Sequence, residues 1–269
     1  MKNRTILLTG ASEGIGYELA KLFATKGNKL ILVTRNRQKL LDVQKELNQQ
    51  TEVTVIEQDL SYVGAAQELY QKIKTTNLQI DVLINNAGTG LQGHFHHLPE
   101  LEQVRLIQLN ITTLTQLTYL CLQDMINNGY GRIMNIGSVS SFIPTPSMTV
   151  YGATKAYVLS FSEALNTELR NKGDFCVTAI CPGPTKTNFA TNGDMKQLGM
   201  LVNLVGMQPE KVAAIAYNSL LKKKTLNIPG KRYSLLLFAA KFIPRHLIQF
   251  FIAVMMLNNK QDENSNITF

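Results

Sequence analysis

The 269-residue sequence predicts a doubly wound α/β fold, a parallel sheet covered by helices on both faces, in one domain. Three observations predict it. Short apolar runs alternate with amphipathic stretches along most of the chain; the runs are almost free of polar residues, as strands buried on both faces require; and small or amide residues stand directly after them. TILLT at 5–9 reads as the first strand, because five uncharged residues ending at a glycine are too short for a helix. An amphipathic helix follows over 14–26, then the strand KLILVT at 29–34, a helix near 37–49 and a strand at 53–56. A helix near 62–76 and the strand VLIN at 82–85 continue the alternation. Long helical patterns at 100–128 and 151–171 precede two more strands, GRIMNIG at 131–137 and CVTAICP at 176–182. Ligands of such sheets lie beyond the carboxyl ends of the strands, so the residues just after each strand carry the functional expectations.

Composition narrows the class. A hydrophobic content of 45 % suits one large core, and no Pro-, Gly- or Ser-rich linker divides the chain. Cys121, Cys176 and Cys181 are an odd number at spacings that fit neither a disulfide framework nor a zinc site, which suits reduced thiols in a cytoplasmic protein. MKNRTILLTG runs straight into a strand, without the apolar core and cleavage site of a signal peptide. His94, His96 and His97 lack a carboxylate or cysteine at ligand spacing, so no metal is expected there. The net charge of +8 is localised: nine of the 27 basic residues lie between Lys211 and Lys260 with no acidic residue among them, leaving 18 basic against 19 acidic elsewhere. Aliphatic neighbours, rather than a stacking array, accompany these cations, which argues against nucleic acid.

The residues after the strands are chemically suggestive. TGASEGIG supplies Gly10, Ser12, Gly14, Ile15 and Gly16 where the chain must turn sharply, approach a phosphate and open a helix. Asp59 and Leu60 follow the third strand, and NNAG, with Asn86, Ala87 and Gly88, the fourth. In VYGATKAYVLSF, Tyr151 and Lys155 stand at i and i+4 on one helix face. A tyrosine, whose ordinary pKa is about 10, is a poor proton shuttle near neutrality, and a neighbouring cation favours its phenolate. Lys155 is therefore expected to tune Tyr151. Ser138, just past the IMNIG strand, is placed to hold a substrate oxygen as an oxyanion donor does.

In this order the motifs resemble the short-chain dehydrogenase/reductase family over roughly residues 4–230: a TGxxxGxG turn, NNAG, a tetrad of Asn110, Ser138 and YGATK, and PGPTKT at 182–187. The resemblance implies a Rossmann-like dinucleotide-binding catalytic domain over 1–230 and hydride transfer between a nicotinamide cofactor and a carbonyl or alcohol. It makes Tyr151 the general acid/base, has Lys155 bond the nicotinamide ribose, and gives Asn110 a water of the proton relay. Asn86 to Gly88 would line the ribose side, Asp59 and Leu60 the adenine edge, and Pro182, Gly183, Thr185 and Thr187 the nicotinamide side, with Thr187 bonding the carboxamide or the pyrophosphate. Gly152 and Ala153 would let substrate and nicotinamide approach the helix. The long helices resemble those that pair subunits into a homodimer or homotetramer.

The second strand ends LVTRNR, where Thr34 replaces the acid that receives an NAD ribose, and Arg35 and Arg37 suit a 2′-phosphate. NADP is expected over NAD, although Glu13 occupies a position where NADP-using relatives often carry a base. After PGPTKT, Met195, Leu198, Met200, Leu201, Val202, Leu204, Val205 and Met207 form either an adaptable apolar wall for an apolar carbonyl, including a lipid or acyl chain, or ordinary core packing. Residues 231–260 read as a basic apolar extension of two short helices either side of Pro244, too interrupted to span a bilayer. They suit a membrane surface, a lid on the pocket or a subunit interface. Residues 261–269 read as a disordered tail. A non-catalytic NADP-binding or membrane-associated module is the alternative function, and the complete tetrad argues against it.

Overall fold

The computed structural model describes residues 1–189, 202, 205–240, 242–244, 247–250, 252 and 254. Seven parallel strands form one sheet in the order β3-β2-β1-β4-β5-β6-β7. They are β1 Thr5–Thr9, β2 Lys29–Thr34, β3 Val53–Glu57, β4 Val82–Asn85, β5 Tyr130–Ile136, β6 Asp174–Ile180 and β7 Leu226–Asn227. The helices are α1 Gly14–Ala24, α2 Arg37–Leu47, α3 Ala65–Lys74, α4 Glu100–Ile107, α5 Leu114–Asn127, α6 Thr149–Glu168, α7 Pro209–Leu221 and α8 Lys231–Ala240.

The strands alternate between two cores. Ile6 and Leu8 face one side with Phe23 of α1, Leu40 of α2 and Ala216 of α7, whereas Leu7 faces the other with Leu69 of α3 and Leu117 of α5. Both faces are buried, which is why these strands read as nearly continuous apolar runs. Strand order reverses between β1 and β4, which pair directly, and a ligand crevice opens at such a reversal. Beneath it a buried polar chain joins the layers: Asn85 donates to Thr118 (3.0 Å) and Asn135 (2.9 Å), and Asn135 donates to Ser162 (2.9 Å).

Some boundaries differ from expectation for local reasons. α3 begins at Ala65 rather than 62, because Gly64 takes a left-handed conformation (φ 91°) ahead of it. The helical pattern at 100–128 runs unbroken from Glu100 to Asn127 but contains a π-helical turn, Gln108–Thr113, between α4 and α5. β7, two residues long, has no periodicity to read. Lys231–Ala240 is helical, as are residues 247–250 beyond Pro244. Met195, Leu198, Met200, Leu201 and Leu204, and the tail at 261–269, lie outside the described residues.

Candidate active site

The carboxyl ends of β1, β4, β5 and β6 converge on one site. Gly10 follows β1 and donates from its amide to the Val33 carbonyl (2.8 Å), tying the glycine turn to β2. Asn86 locks the same turn from β4, its side-chain amide donating to the carbonyls of Thr9 (3.1 Å) and Gly10 (2.9 Å). The Thr9 hydroxyl receives the amides of Asn86 and Ala87, both at 3.1 Å. Gly16 packs so closely on this turn that a Cβ there would sit 2.1 Å from the Gly10 carbonyl oxygen. Glu13, at the N-cap of α1, makes no side-chain cap, so the amides of the first turn face outward for an anion. This is a cradle that fits a dinucleotide pyrophosphate. On the far side, the Thr187 methyl stands 2.9 Å from where a Gly14 Cβ would be, closing the turn from β6.

Ser12, Thr34, Arg35, Asp59 and Leu60 lie at or beyond the carboxyl ends of β1, β2 and β3. Ser12 and Thr34 approach through their hydroxyls (3.4 Å), with no carboxylate at the end of β2. Arg35 is exposed between Glu13 and Asp59. Glu13 is already engaged, by Lys39 (2.7 Å) and Asn188 (3.1 Å), and the Lys39 bond leads the effects that hold its carboxyl below the ordinary value. Burial raises Asp59, but hydrogen bonds from the Ser61 hydroxyl (2.7 Å) and amide (2.9 Å), with Arg35 and Arg105, outweigh it and keep this carboxyl low. Leu60 is buried, and its carbonyl accepts from Thr113 (2.8 Å), joining β3 to the π-turn.

At the other end Ser138, Tyr151 and Lys155 come together, each less than a tenth exposed. Ser138 opens a 3-10 turn in which its hydroxyl accepts from the Ser140 amide (3.1 Å). Ser141 reciprocates at the Ser138 amide (3.2 Å) and donates to the Lys155 carbonyl (2.7 Å), so it fixes both residues. The sequence reading passed over Ser141, since three serines in five residues carry no periodic signal. Lys155 donates to the Ile136 carbonyl (2.8 Å), and its ammonium lies 5.7 Å from the Tyr151 ring centre. Burial pushes the Tyr151 phenol up to about 12, opposed by a hydrogen bond with Ser138. Burial likewise pulls Lys155 down to about 8. Desolvation is the largest of the protein's own effects on Tyr151.

Asn110 is nearly inaccessible on the π-turn. Its side chain is engaged through both amide atoms: the oxygen accepts from the Thr89 amide (3.1 Å), and the nitrogen donates to the Thr89 carbonyl (3.0 Å) and the Thr154 hydroxyl (3.1 Å). Thr154 in turn donates to the Tyr151 carbonyl (2.8 Å). Gly88 stays within reach, a Cβ there lying 3.2 Å from the Asn110 oxygen and 3.5 Å from the Lys155 ammonium nitrogen.

The turn at 182–187 is pinned on two sides. Met207 donates to the Pro184 carbonyl (2.9 Å) and accepts from the Lys186 amide (2.9 Å), pairing Thr185 with Met207. Gly183 lies under the Tyr233 ring of α8, which would stand 2.5 Å from a Gly183 Cβ. The apolar wall beside Tyr151 comes from Leu106 and Met148, with Leu91, Val150 and Phe189 packed against them. The Phe189 ring centre is 5.8 Å from that of Tyr151. These residues were missed because four loops and helices supply them. Gly152 and Ala153 line, with Ser141, Thr145 and Thr149, a cavity of about 830 Å³, where Gly152 makes room for Thr145. Among the described residues no cluster of His, Cys, Asp and Glu fits a metal ion, and the three cysteines are free and buried.

A doubly wound sheet with an open glycine turn at the β1–β4 reversal and a buried Ser-Tyr-Lys group at its carboxyl edge defines an NAD(P)-linked oxidoreductase. The family model for short chain dehydrogenases matches residues 4–198, and the chain belongs to the short-chain dehydrogenase/reductase family. A human very-long-chain 3-oxoacyl-CoA reductase is 34% identical over 190 residues, covering 68% of this chain and 60% of that protein. The match thus spans about 60% of the length of that relative. A short-chain dehydrogenase from Sphingobium yanoikuyae in complex with NADPH superposes with a TM-score of 0.78 at 30% identity, covering 98% of this chain and 99% of that one. A bulky-bulky ketone specific alcohol dehydrogenase from Comamonas testosteroni gives 0.75 at 31%, covering 93% and 95%.

Proposed function

We propose that this chain reduces a lipophilic carbonyl, in the class of a 3-oxoacyl thioester, with NADPH. The observation that carries the reading is Tyr151: a buried phenol, hydrogen-bonded to Ser138, with Lys155 behind it and an apolar wall in front. When bound, the cofactor supplies the hydride. Ser138 orients the substrate oxygen, and Tyr151 delivers a proton to that oxygen as negative charge develops on it. A phenol held at about 12 keeps its proton until that charge appears. Lys155 then returns a proton toward Tyr151, for which a pKa of about 8 suits it better than that of an exposed lysine. Asn110 would hold the water that refills Lys155. The apolar wall excludes bulk water from this exchange and favours a hydrocarbon substituent.

NADPH is preferred to NADH because β2 ends without a carboxylate and Arg35 stands exposed beside it. Glu13, the one feature against a phosphate, is taken up by Lys39 and Asn188. The names of the human and Comamonas relatives support a bulky carbonyl. The test is a panel of 3-oxoacyl thioesters and bulky ketones assayed with NADPH and NADH by cofactor absorbance, for the wild type and Tyr151→Phe. Turnover is expected with NADPH and to fall about 10²- to 10⁴-fold in Tyr151→Phe, with NADPH binding retained. Full activity in Tyr151→Phe would remove this residue from the mechanism.

A further inference from the structure

Eight large apolar side chains in the described residues from 231 onward are exposed, Leu235, Leu236, Phe238, Phe242, Ile243, Leu247, Phe250 and Val254, at 41 to 76 %. α8 is held to the domain by residues one turn apart, Tyr233 against Gly183 and Leu237, which is 8% exposed. A solvated surface helix places polar side chains opposite such anchors. Here Leu235, Leu236 and Phe238 occupy the outward positions, and Phe238 packs edge-on against Phe242 at 5.5 Å, so the apolar surface continues past the end of the helix. Lys231 and Arg232 lie exposed at its start, and no acidic residue occurs from 211 to 260.

We propose that this face docks on an anionic lipid bilayer, with α8 in the interface plane, its outward apolar side chains at the acyl boundary and Lys231 and Arg232 against headgroup phosphates. A second copy of the chain suits the face less well. A two-fold interface sets the same patch of both copies together, and this segment brings no carboxylate from either copy to pair Lys231 and Arg232. Docking is at the surface, since no described helix is long and apolar enough to cross a membrane. The proposal does not depend on which carbonyl is reduced.

The test is co-sedimentation of the full chain with vesicles of phosphatidylcholine alone or mixed with phosphatidylglycerol, beside light scattering of the protein alone. The wild type is expected to pellet with anionic vesicles and to be released by high salt. Leu236→Glu/Phe238→Glu and Lys231→Glu/Arg232→Glu should each lower partitioning roughly tenfold or more, at an unchanged Tm that certifies folding. Equal pelleting of the wild type and both variants would overturn the proposal. A wild-type oligomer that Leu236→Glu/Phe238→Glu converts to monomer without changing vesicle binding would assign the face to a second copy instead.

Discussion

At the residue scale, Tyr151 and Lys155 are each shifted by the same cause in opposite directions. Burial disfavours the charged form of both, raising the phenol to about 12 and lowering the ammonium to about 8. The i, i+4 spacing is legible in the sequence; the desolvation is not, because it comes from Ile136, Ser141 and the wall around Phe189. The shift of Lys155 has a sign that can be checked. Between about pH 8 and 10.5 the unfolded chain still holds a proton that the folded chain has released, so this group makes stability rise with pH across that window. Below it both states are protonated and the buried ammonium costs on the order of 3 kcal/mol. Lys155→Met is therefore expected to be more stable than the wild type at pH 7, with the difference narrowing between pH 8 and 10. Chemical denaturation at several pH values measures it; a gap that is constant with pH would refute the titration. Tyr151 acts the other way, since its folded form keeps the proton between 10 and about 12 and stability falls there as pH rises.

At the element scale, the strands and most helices follow from alternating apolar patterns, because a strand covered on both faces tolerates few polar side chains. The π-turn at Gln108–Thr113 escaped the reading. Its residues continue a good helical pattern, and the extra backbone residue is stabilised from outside, by Thr89 and Thr154 on Asn110 and by Leu60 on Thr113. π-turns of this kind are frequent at functional sites. The glycine turn, by contrast, was legible in full, because only glycine meets its steric demand. Gly16→Ala would force a Cβ into the Gly10 carbonyl, and no rotamer relieves a contact between backbone atoms. NADPH affinity is expected to drop about a hundredfold or more, read by nucleotide fluorescence, with the sheet retained by circular dichroism. Unchanged affinity would mean the turn is not the pyrophosphate cradle.

At the scale of the whole molecule, the C-terminal extension and the site are mechanically joined. Tyr233 covers Gly183 and its hydroxyl donates to the Val205 carbonyl (3.2 Å), so α8, the 182–187 turn and the chain entering α7 share one anchor. Tyr233→Ala is expected to weaken NADPH binding severalfold while lowering Tm by about 2 to 4 °C per kcal/mol lost. A destabilised α8 with undiminished NADPH affinity would separate the extension from the site. By itself, the sequence determined the doubly wound sheet, the glycine turn, the absence of an acid after β2 and the residues brought together at Ser138, Tyr151 and Lys155, because each depends on periodicity or on a chemistry confined to a few neighbouring residues. Only the tertiary structure decided what surrounds them: the occupation of Glu13 by Lys39, the use of the Asn110 amide on Thr89, the cavity taken by Gly152 and the exposed apolar face of α8. These depend on contacts between residues far apart in the chain, and such contacts form only when burial outweighs the loss of chain freedom across the whole fold.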